Sequence, residues 1–142
     1  MAVNLDNSSL LREQAYIDGA WTGADDGATF EVTNPADGAV VATVPELGVA
    51  ETERAVQAAA DAWPAWRART AKERAAILRR WFELVMDNQQ DLAALMTAEQ
   101  GKPLAEAAGE VAYGASFIEW FAEEGKRLYG DVVPTHTGDR RL

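Results

Sequence analysis

The spacing of hydrophobic residues changes near residue 50 and divides the chain into two kinds of predicted structure. Before that point, short aromatic and β-branched runs are separated by turn residues, a pattern that predicts β-hairpins. The run from Tyr16 to Trp21 has Asp18-Gly19 at its centre, and both residues of such a tight turn need positive φ. We therefore predict a hairpin here, preceded by a loose lead-in over residues 1–9, which show no clear periodicity.

A second pair of strands is predicted over 30–33 and 40–44. Proline disfavours continued strand pairing, and it follows each run, in Asn34-Pro35 and at Pro45. Asp37-Gly38 supplies the turn between the two runs. The beginning of the chain is thus predicted to form a small antiparallel β layer.

Helical spacing begins at about Glu51, where acidic residues in a first turn suit the helix dipole. Pro64 is predicted to end or kink this first helix, because proline has no N–H and its ring clashes with the preceding turn. The predicted apolar face of the helix consists of Ala55, Val56, Ala59 and Ala60.

Thr70 and Glu73 have the spacing of a capping box, which predicts the start of a second helix. The helical pattern then continues to about Gln100, with a break predicted near Asn88. The apolar stripe of the second helix is wide and consists of Ile77, Leu78, Trp81, Leu84 and Val85.

The chain is organised around the segment 96–130. Gly101 stands where a left-handed cap would end one helix, and Pro103 is predicted to open the next one. That helix carries a face of small residues, namely Ala105, Ala108, Ala112 and Ala115. Its far end carries bulky residues that we expect to anchor it in a core, namely Phe117, Ile118, Trp120 and Phe121. A last strand is predicted to start over 131–133.

These elements predict an α+β, mainly helical fold, in which a small antiparallel β layer is followed by a run of helices. A chain of 142 residues is long enough for one ordinary domain. No linker, repeat or low-complexity segment interrupts residues 1–142, so we expect no internal domain boundary.

The charge of the chain narrows its possible partners. The formal net charge is −10 at pH 7. An acidic surface repels phosphate backbones and anionic lipids, so we expect no nucleic-acid partner and no membrane partner. The sequence has no apolar run of membrane-spanning length and no basic segment followed by an apolar one at its start. We therefore expect a cytoplasmic protein.

Cysteine is absent from the sequence, and histidine occurs once, at His136. A cysteine nucleophile, a disulfide and a thiolate metal site are thereby excluded from this chain. Gly109 and Gly114 have the spacing of phosphate-loop glycines, but Ala115-Ser116 follows where that loop needs Lys and then Ser or Thr. We interpret the two glycines as positions of close helix packing.

Several motifs occur in the order found in a known family. They are YIDGAW at 16–21, VTNPADG at 32–38, WPAWRARTAKERAAILRRWF at 63–82, EQGKPLAEA at 99–107 and GASFIEWFAEEGKRLYGD at 114–131. Together they resemble the N-terminal region of succinate-semialdehyde dehydrogenases in the aldehyde dehydrogenase superfamily. The resemblance covers almost the whole chain, but only the first third or so of the family's length.

The resemblance implies the N-terminal fragment of an enzyme that oxidises succinate semialdehyde to succinate with NAD or NADP. In the family, a cysteine thiolate attacks the carbonyl, hydride passes to the nicotinamide, and a glutamate activates the water that releases the acid. No catalytic residue and no cofactor-binding residue of this kind can be assigned here. We therefore expect the 142-residue chain alone to be inactive and to bind no cofactor, whereas the full-length enzyme takes a small aldehyde and forms a homo-oligomer.

The resemblance also implies two candidate sites. In the family, the acidic residue before the x-G-K-P turn often lies near a backbone carbonyl of the strand before N-P, and together they hold a structural alkali cation. The matching residues here are Glu99 and Thr33, and oxygen ligands suit such a cation. A turn cap or an arginine pair remains an equal alternative for Glu99. The helix after Pro103 lines part of the family's substrate entrance, and its matching face consists of Glu110, Gly114 and Phe117.

Two alternatives to a succinate-semialdehyde dehydrogenase remain open at this point. One is an aldehyde dehydrogenase with another substrate, because the family's carboxylate-binding arginines lie outside this chain. The other is a non-catalytic helical interaction module. Five tryptophans favour part of a larger protein, because a separate module needs a polar surface throughout.

Overall fold

The computed structural model describes residues 3–140. Within that range, the β structure consists of two separate antiparallel pairs of strands, as the sequence predicted. Asp18 has φ 50° and Gly19 has φ 78°, which confirms the predicted tight turn between the first two strands. The strands are β1 (Ala15–Ile17), β2 (Ala20–Thr22), β3 (Thr29–Thr33) and β4 (Val40–Pro45), paired β1 with β2 and β3 with β4.

Helices make up most of the described chain after the strands. The predicted break falls at Asn88, and Gly101 ends a helix with φ 77°, as expected. Pro103 is the N-cap of the next helix and not its first residue, a small correction to the prediction. None of the helices among residues 3–140 is long and apolar enough to cross a bilayer. Their bounds are α1 (Val49–Ala68), α2 (Ala71–Asp87), α3 (Gln89–Gln100) and α4 (Leu104–Glu124).

The capping box predicted at the start of α2 is present. The amide of Glu73 donates to the hydroxyl of Thr70 at 3.3 Å, and the amide of Thr70 donates to the Glu73 carboxylate at 2.8 Å. The Thr70 hydroxyl also donates to that carboxylate, and it is the main reason why the pKa of Glu73 lies below its usual value. Local sequence therefore sets where α2 begins.

The core lies between α2, α3 and α4. Helix α4 packs against both α2 and α3, and α3 also contacts β3. Small side chains let helix backbones approach closely, and alanine is the commonest residue of this core. The buried apolar residues are Ala42, Ala75, Ala93, Leu95, Ala107, Val111, Ala115 and Ala122.

The buried face of α4 is not the predicted one. It consists of Ala107, Val111, Ala115 and Ala122, so of the predicted small face only Ala115 is buried. The prediction that the bulky end anchors α4 in a core is also wrong for this chain, because three of its aromatic rings are exposed: Phe117, Trp120 and Phe121. Both sides of α4 are apolar, so the spacing of its residues could not show which side is buried here.

Helix α1 packs mainly against β1. Glu51 is its one buried residue, and the predicted apolar face is not buried, because Val56, Ala59 and Ala60 are exposed. The helix also continues through Pro64 to Ala68, so it does not end at Pro64, and a kink there stays a prediction. Proline removes a single backbone donor, and the hydrogen bonds on either side of it can maintain the helix.

Two predictions near the ends of the chain are corrected. Residues 131–133 form no strand and are exposed, and none of the four described strands pairs with this segment. Residues 1 and 2 of the predicted lead-in lie outside the described residues, but its described part is not loose. The backbone amides of Asp6 and Asn7 bind the carboxylate of Asp91, and residues 8–10 form a 3-10 turn. The missed signal was the alternation of apolar Val3 and Leu5 with polar neighbours in the sequence. In the structure, the two apolar residues are half-buried and the polar ones are exposed.

Candidate substrate-entrance face and cation site

Glu110, Gly114 and Phe117 share one exposed face of α4. Residues three and four apart on a helix lie next to one another, so the three form a line along it. Gly114 faces open space, because a Cβ at this position would meet nothing within 4 Å, and the same is true of Gly109. The interpretation of these two glycines as positions of close helix packing is therefore wrong within this chain.

Glu110 is paired with the ammonium group of Lys102. Lys102 lies in the turn between α3 and α4, so the ion pair ties that turn to α4. The hydrogen bond to Glu110 raises the pKa of Lys102. On the face formed by Glu110, Gly114 and Phe117, the one carboxylate is thus already paired with a cation.

Phe117 also lines a groove beside the C-terminal half of α4. The groove has a volume of 720 Å³. The ring of Phe117 packs edge-to-face on Tyr113 with 4.9 Å between centroids. At the side of the groove, Arg79 of α2 donates to Glu119 of α4 at 2.8 Å. Three aromatic and five charged residues line the groove, so it offers both apolar and charged contacts. Of the three predicted entrance residues, only Phe117 lines this groove.

The turns that carry Glu99 and Thr33 lie against each other. Helix α3 contacts β3, and a Cβ on Gly101 would stand 3.0 Å from Cγ of Pro35. Glycine is therefore needed at position 101 twice, for its positive φ and for this close approach. We call this place, formed by the Asn34-Pro35 turn and the last turn of α3, the Pro35–Gly101 corner. Thr33 directly precedes the first of these turns, and Glu99 lies in the second.

Glu99 and Thr33 are both exposed at this corner. Glu99 is therefore not part of the core of this chain. The pairing of β3 with β4 shifts between Val32 and Thr33, so the Thr33 backbone leaves the regular ladder. Among residues 3–140, no group of three or more His, Cys, Asp or Glu side chains could hold a metal ion. A cation here would depend on one carboxylate and on backbone carbonyls.

Two buried carboxylates, Glu51 and Asp91, had no predicted role in positioning distant backbone. Glu51 accepts from the backbone amides of Asp25 and Gly48, each at 3.0 Å. These hydrogen bonds, the one from Asp25 first, hold the pKa of Glu51 below its usual value. Each of the two carboxylates lies in the first turn of a helix, a position visible in the sequence, but its distant backbone partner is not.

The described residues do not fit a nicotinamide dinucleotide. Such cofactors bind at the carboxyl ends of parallel strands, where a glycine-rich turn opens a helix. Both sheets in residues 3–140 are antiparallel pairs, and the sequence has no G-x-G-x-x-G motif. No step of a redox reaction can therefore be assigned to these residues.

Comparison with known proteins decides the family. A profile of the aldehyde dehydrogenase family matches residues 21–142. The chain belongs to the aldehyde dehydrogenase family. Glutarate-semialdehyde dehydrogenase of Pseudomonas putida is 65% identical over 140 residues, which are 99% of this chain and 29% of that protein. The NADP(+) succinate-semialdehyde dehydrogenase GabD of Escherichia coli is 60% identical, with the same coverage of both chains.

A solved structure shows the same fold. The crystal structure of an E. coli NADP-dependent enzyme matches with a TM-score of 0.93 and 60% identity, over 97% of this chain and 29% of that chain. This aldehyde dehydrogenase chain therefore spans about 29% of the length of the relatives named here. The predicted α+β, mainly helical N-terminal part of the family fold is confirmed.

Proposed function

We propose that this chain is the N-terminal portion of an NAD(P)-dependent dehydrogenase that oxidises succinate semialdehyde or a close homologue of it. The observation that carries the proposal is 60–65% identity to semialdehyde dehydrogenases over nearly the whole chain, together with the family match. Succinate and glutarate semialdehyde differ by one methylene, which a pocket distinguishes by only about 1–3 kcal/mol. The substrate class is therefore a short aldehyde with a carboxylate at its other end.

In this proposal, the 142-residue chain is inactive by itself. It contains no cysteine, so it cannot form the covalent thiohemiacetal from which hydride leaves. The nucleophile, the nicotinamide site and the carboxylate-binding groups then belong to the larger part of a longer, homo-oligomeric enzyme.

The contribution of this chain is to shape the approach to that catalytic part. Glu110, Gly114 and Phe117 lie in line on an exposed face, Gly114 leaves open space beside α4, and Phe117 borders a groove with aromatic and charged walls. These features support a wall of the substrate entrance. A side chain at position 114 would narrow that space.

The second contribution is a structural cation held at the Pro35–Gly101 corner by the Glu99 carboxylate and the Thr33 carbonyl. It is supported by the contact between the two turns and by the exposure of both residues. A single carboxylate makes a weak site unless the scaffold around it is rigid. We expect potassium or sodium, compared with tetramethylammonium, to raise the thermal midpoint of the full-length enzyme but not of its Glu99→Gln form. Equal responses of both forms would rule out this site.

The test of the catalytic proposal compares two preparations, the longer polypeptide encoded by the gene and the 142-residue chain. Each is mixed with NAD or NADP and with succinate semialdehyde, glutarate semialdehyde or butanal, and reduced cofactor is followed by absorbance. We expect the long form to use the two carboxylated aldehydes at least tenfold better than butanal, and the short form to give no turnover. Equal use of butanal would contradict the substrate class. Turnover by the short form that survives repurification would contradict its inactivity.

A further inference from the structure

We propose that residues 3–7 form a strap, latched to α3 by the carboxylate of Asp91, that keeps the Pro35–Gly101 corner in place. Asp91 is buried, with 8% of its surface exposed. The amide of Asp6 donates to its Oδ1 at 3.0 Å, and the amide of Asn7 donates to its Oδ2 at 2.7 Å. Two consecutive amides thus bind the two oxygens of one carboxylate, and hydrogen bonds to an ionised acceptor are stronger than neutral ones.

A second contact holds the same end of the strap. The side-chain amide of Asn7 donates to Oδ1 of Asn88 at 3.3 Å. Asn88 in turn donates to the Leu84 carbonyl at 2.8 Å and stands between α2 and α3. The strap is therefore fixed to the junction of two core helices, and it does not rest on a loop.

The other end of the strap reaches the far end of α3. Val3 lines a 300 Å³ groove together with Ala94, Thr97 and Ala98 of α3. From Asp91 to Thr97 a helix rises about 9 Å, and the four-residue step from Asn7 back to Val3 spans about 13 Å when extended. The strap is long enough to run along α3 from its first turn to its last, with Val3 and Leu5 half-buried.

This path connects the latch to the Pro35–Gly101 corner. Asn34, which precedes Pro35, lines the same groove as Val3 and Thr97. The strap thus covers the seam between the last turn of α3 and the turn after β3. Releasing Asp91 frees the strap and loosens the corner, although Asp91 lies at the opposite end of α3 from Gly101. The device is separate from the catalytic proposal, because it uses only contacts within this chain.

The experiment measures amide hydrogen exchange in the 142-residue chain and in two Asp→Asn variants. Asp91→Asn removes the charge and replaces one acceptor oxygen by a donor. Asp87→Asn is the matched control, because Asp87 is exposed and borders the same polar cavity as Asp91. For Asp91→Asn we expect at least tenfold faster exchange at Asp6 and Asn7 and about threefold faster exchange over 97–101. We expect neither change for Asp87→Asn.

A variant in the strap itself decides the case if Asp91→Asn fails to fold. Asn7→Pro deletes one latch amide and the side-chain contact to Asn88 but leaves the sequence of α3 unchanged, so we expect it to speed exchange at Asp6 and over 97–101. Unchanged exchange at Asp6 in Asn7→Pro would overturn the latch. Faster exchange of the strap with full protection over 97–101 would overturn its role at the corner, and an equal effect of Asp87→Asn would overturn the specificity of Asp91.

Discussion

Helices α1 and α4 have almost the same length, 20 and 21 residues, but they are held in opposite ways. Helix α4 buries one valine and three alanines against α2 and α3, whereas α1 buries a single glutamate. The side-chain hydrogen bonds that attach α1 lie near its N-terminal end. Glu51 accepts from the amides of Asp25 and Gly48, and Arg54 forms a bidentate ion pair with Asp25. Regular helical structure thus does not reveal how firmly a helix is attached.

The difference has an energetic meaning. Burial of apolar surface contributes about 25 cal/mol per Å², whereas an exposed ion pair contributes about 0–1 kcal/mol. We therefore expect α4 to unfold with the core and α1 to open separately at lower cost. The exposed aromatic residues of α1, α2 and α4, among them Trp63, Trp81 and Trp120, agree with the proposal that a larger enzyme covers these helices.

The largest expected effect on stability is the difference between two single variants, in which a valine of α4 or a valine of α1 is replaced by alanine. Val111→Ala in α4 removes two buried methyl groups, and at about 0.8 kcal/mol per group plus a cavity it should destabilise the chain by about 2 kcal/mol. Val56→Ala in α1 removes methyl groups from a side chain that is 66% exposed, so we expect less than about 0.5 kcal/mol. Urea unfolding of both variants measures the difference. Equal losses would mean that α1 is packed as firmly as α4.

A smaller effect is expected from the cap of α2, which belongs to the packed group of helices. Thr70→Ala deletes the hydroxyl that accepts from the Glu73 amide, and loss of such a cap costs about 1 kcal/mol. Because α2 is part of the core, the whole unfolding transition should shift. Lys72→Ala in the same turn is the control and should stay within about 0.5 kcal/mol of the parent. The thermal melt should be followed at the amides of α2, α3 and α4. A response of the α2 amides alone would contradict the coupling.

Substitution of Glu51 should have the smallest effect on the free energy of unfolding of the chain. It should nevertheless change the hydrogen exchange of the amides that Glu51 binds. The folded-state pKa of Glu51 is depressed, so its stabilising contribution is complete above the unfolded pKa and is lost as the pH falls through the folded one. Glu51→Gln should therefore speed amide exchange at Asp25 and Gly48 at pH 7. The gap to the parent should begin to narrow as the pH falls past the usual glutamate pKa of about 4.3, and it should vanish only below the depressed folded pKa. Glu53→Gln, an exposed neighbour, is the control. A gap that persists at low pH would show that charge is not what binds these amides.

Some parts of the fold and of the candidate site were predictable from local sequence. The Asp18-Gly19 turn, the capping box at Thr70 and the left-handed Gly101 each depend on a few adjacent residues, and all were predicted correctly. The family was predictable because several motifs kept their order. The contact between the turns of Glu99 and Thr33 came only from the family resemblance, because nothing local to either turn reveals a partner 66 residues away.

Predictions of which apolar face is buried were less successful. Spacing marked α4 as helical, but it did not select Val111 over Phe117, because both sides of this helix are apolar. The strand predicted over 131–133 had suitable β-branched residues, but a strand also needs a partner, and this segment pairs with none of the described strands.

The sequence by itself determined the turns, the caps, the order of the elements and the lack of a cysteine nucleophile, because each depends on residue type or on neighbours within a few positions. The tertiary structure decided which faces are buried, that Pro64 lies inside α1, and that Asp91 and Glu51 bind amides far away in sequence. Burial and hydrogen bonding between distant segments depend on where the chain folds back on itself. The spacing of residues along one element carries no information about that.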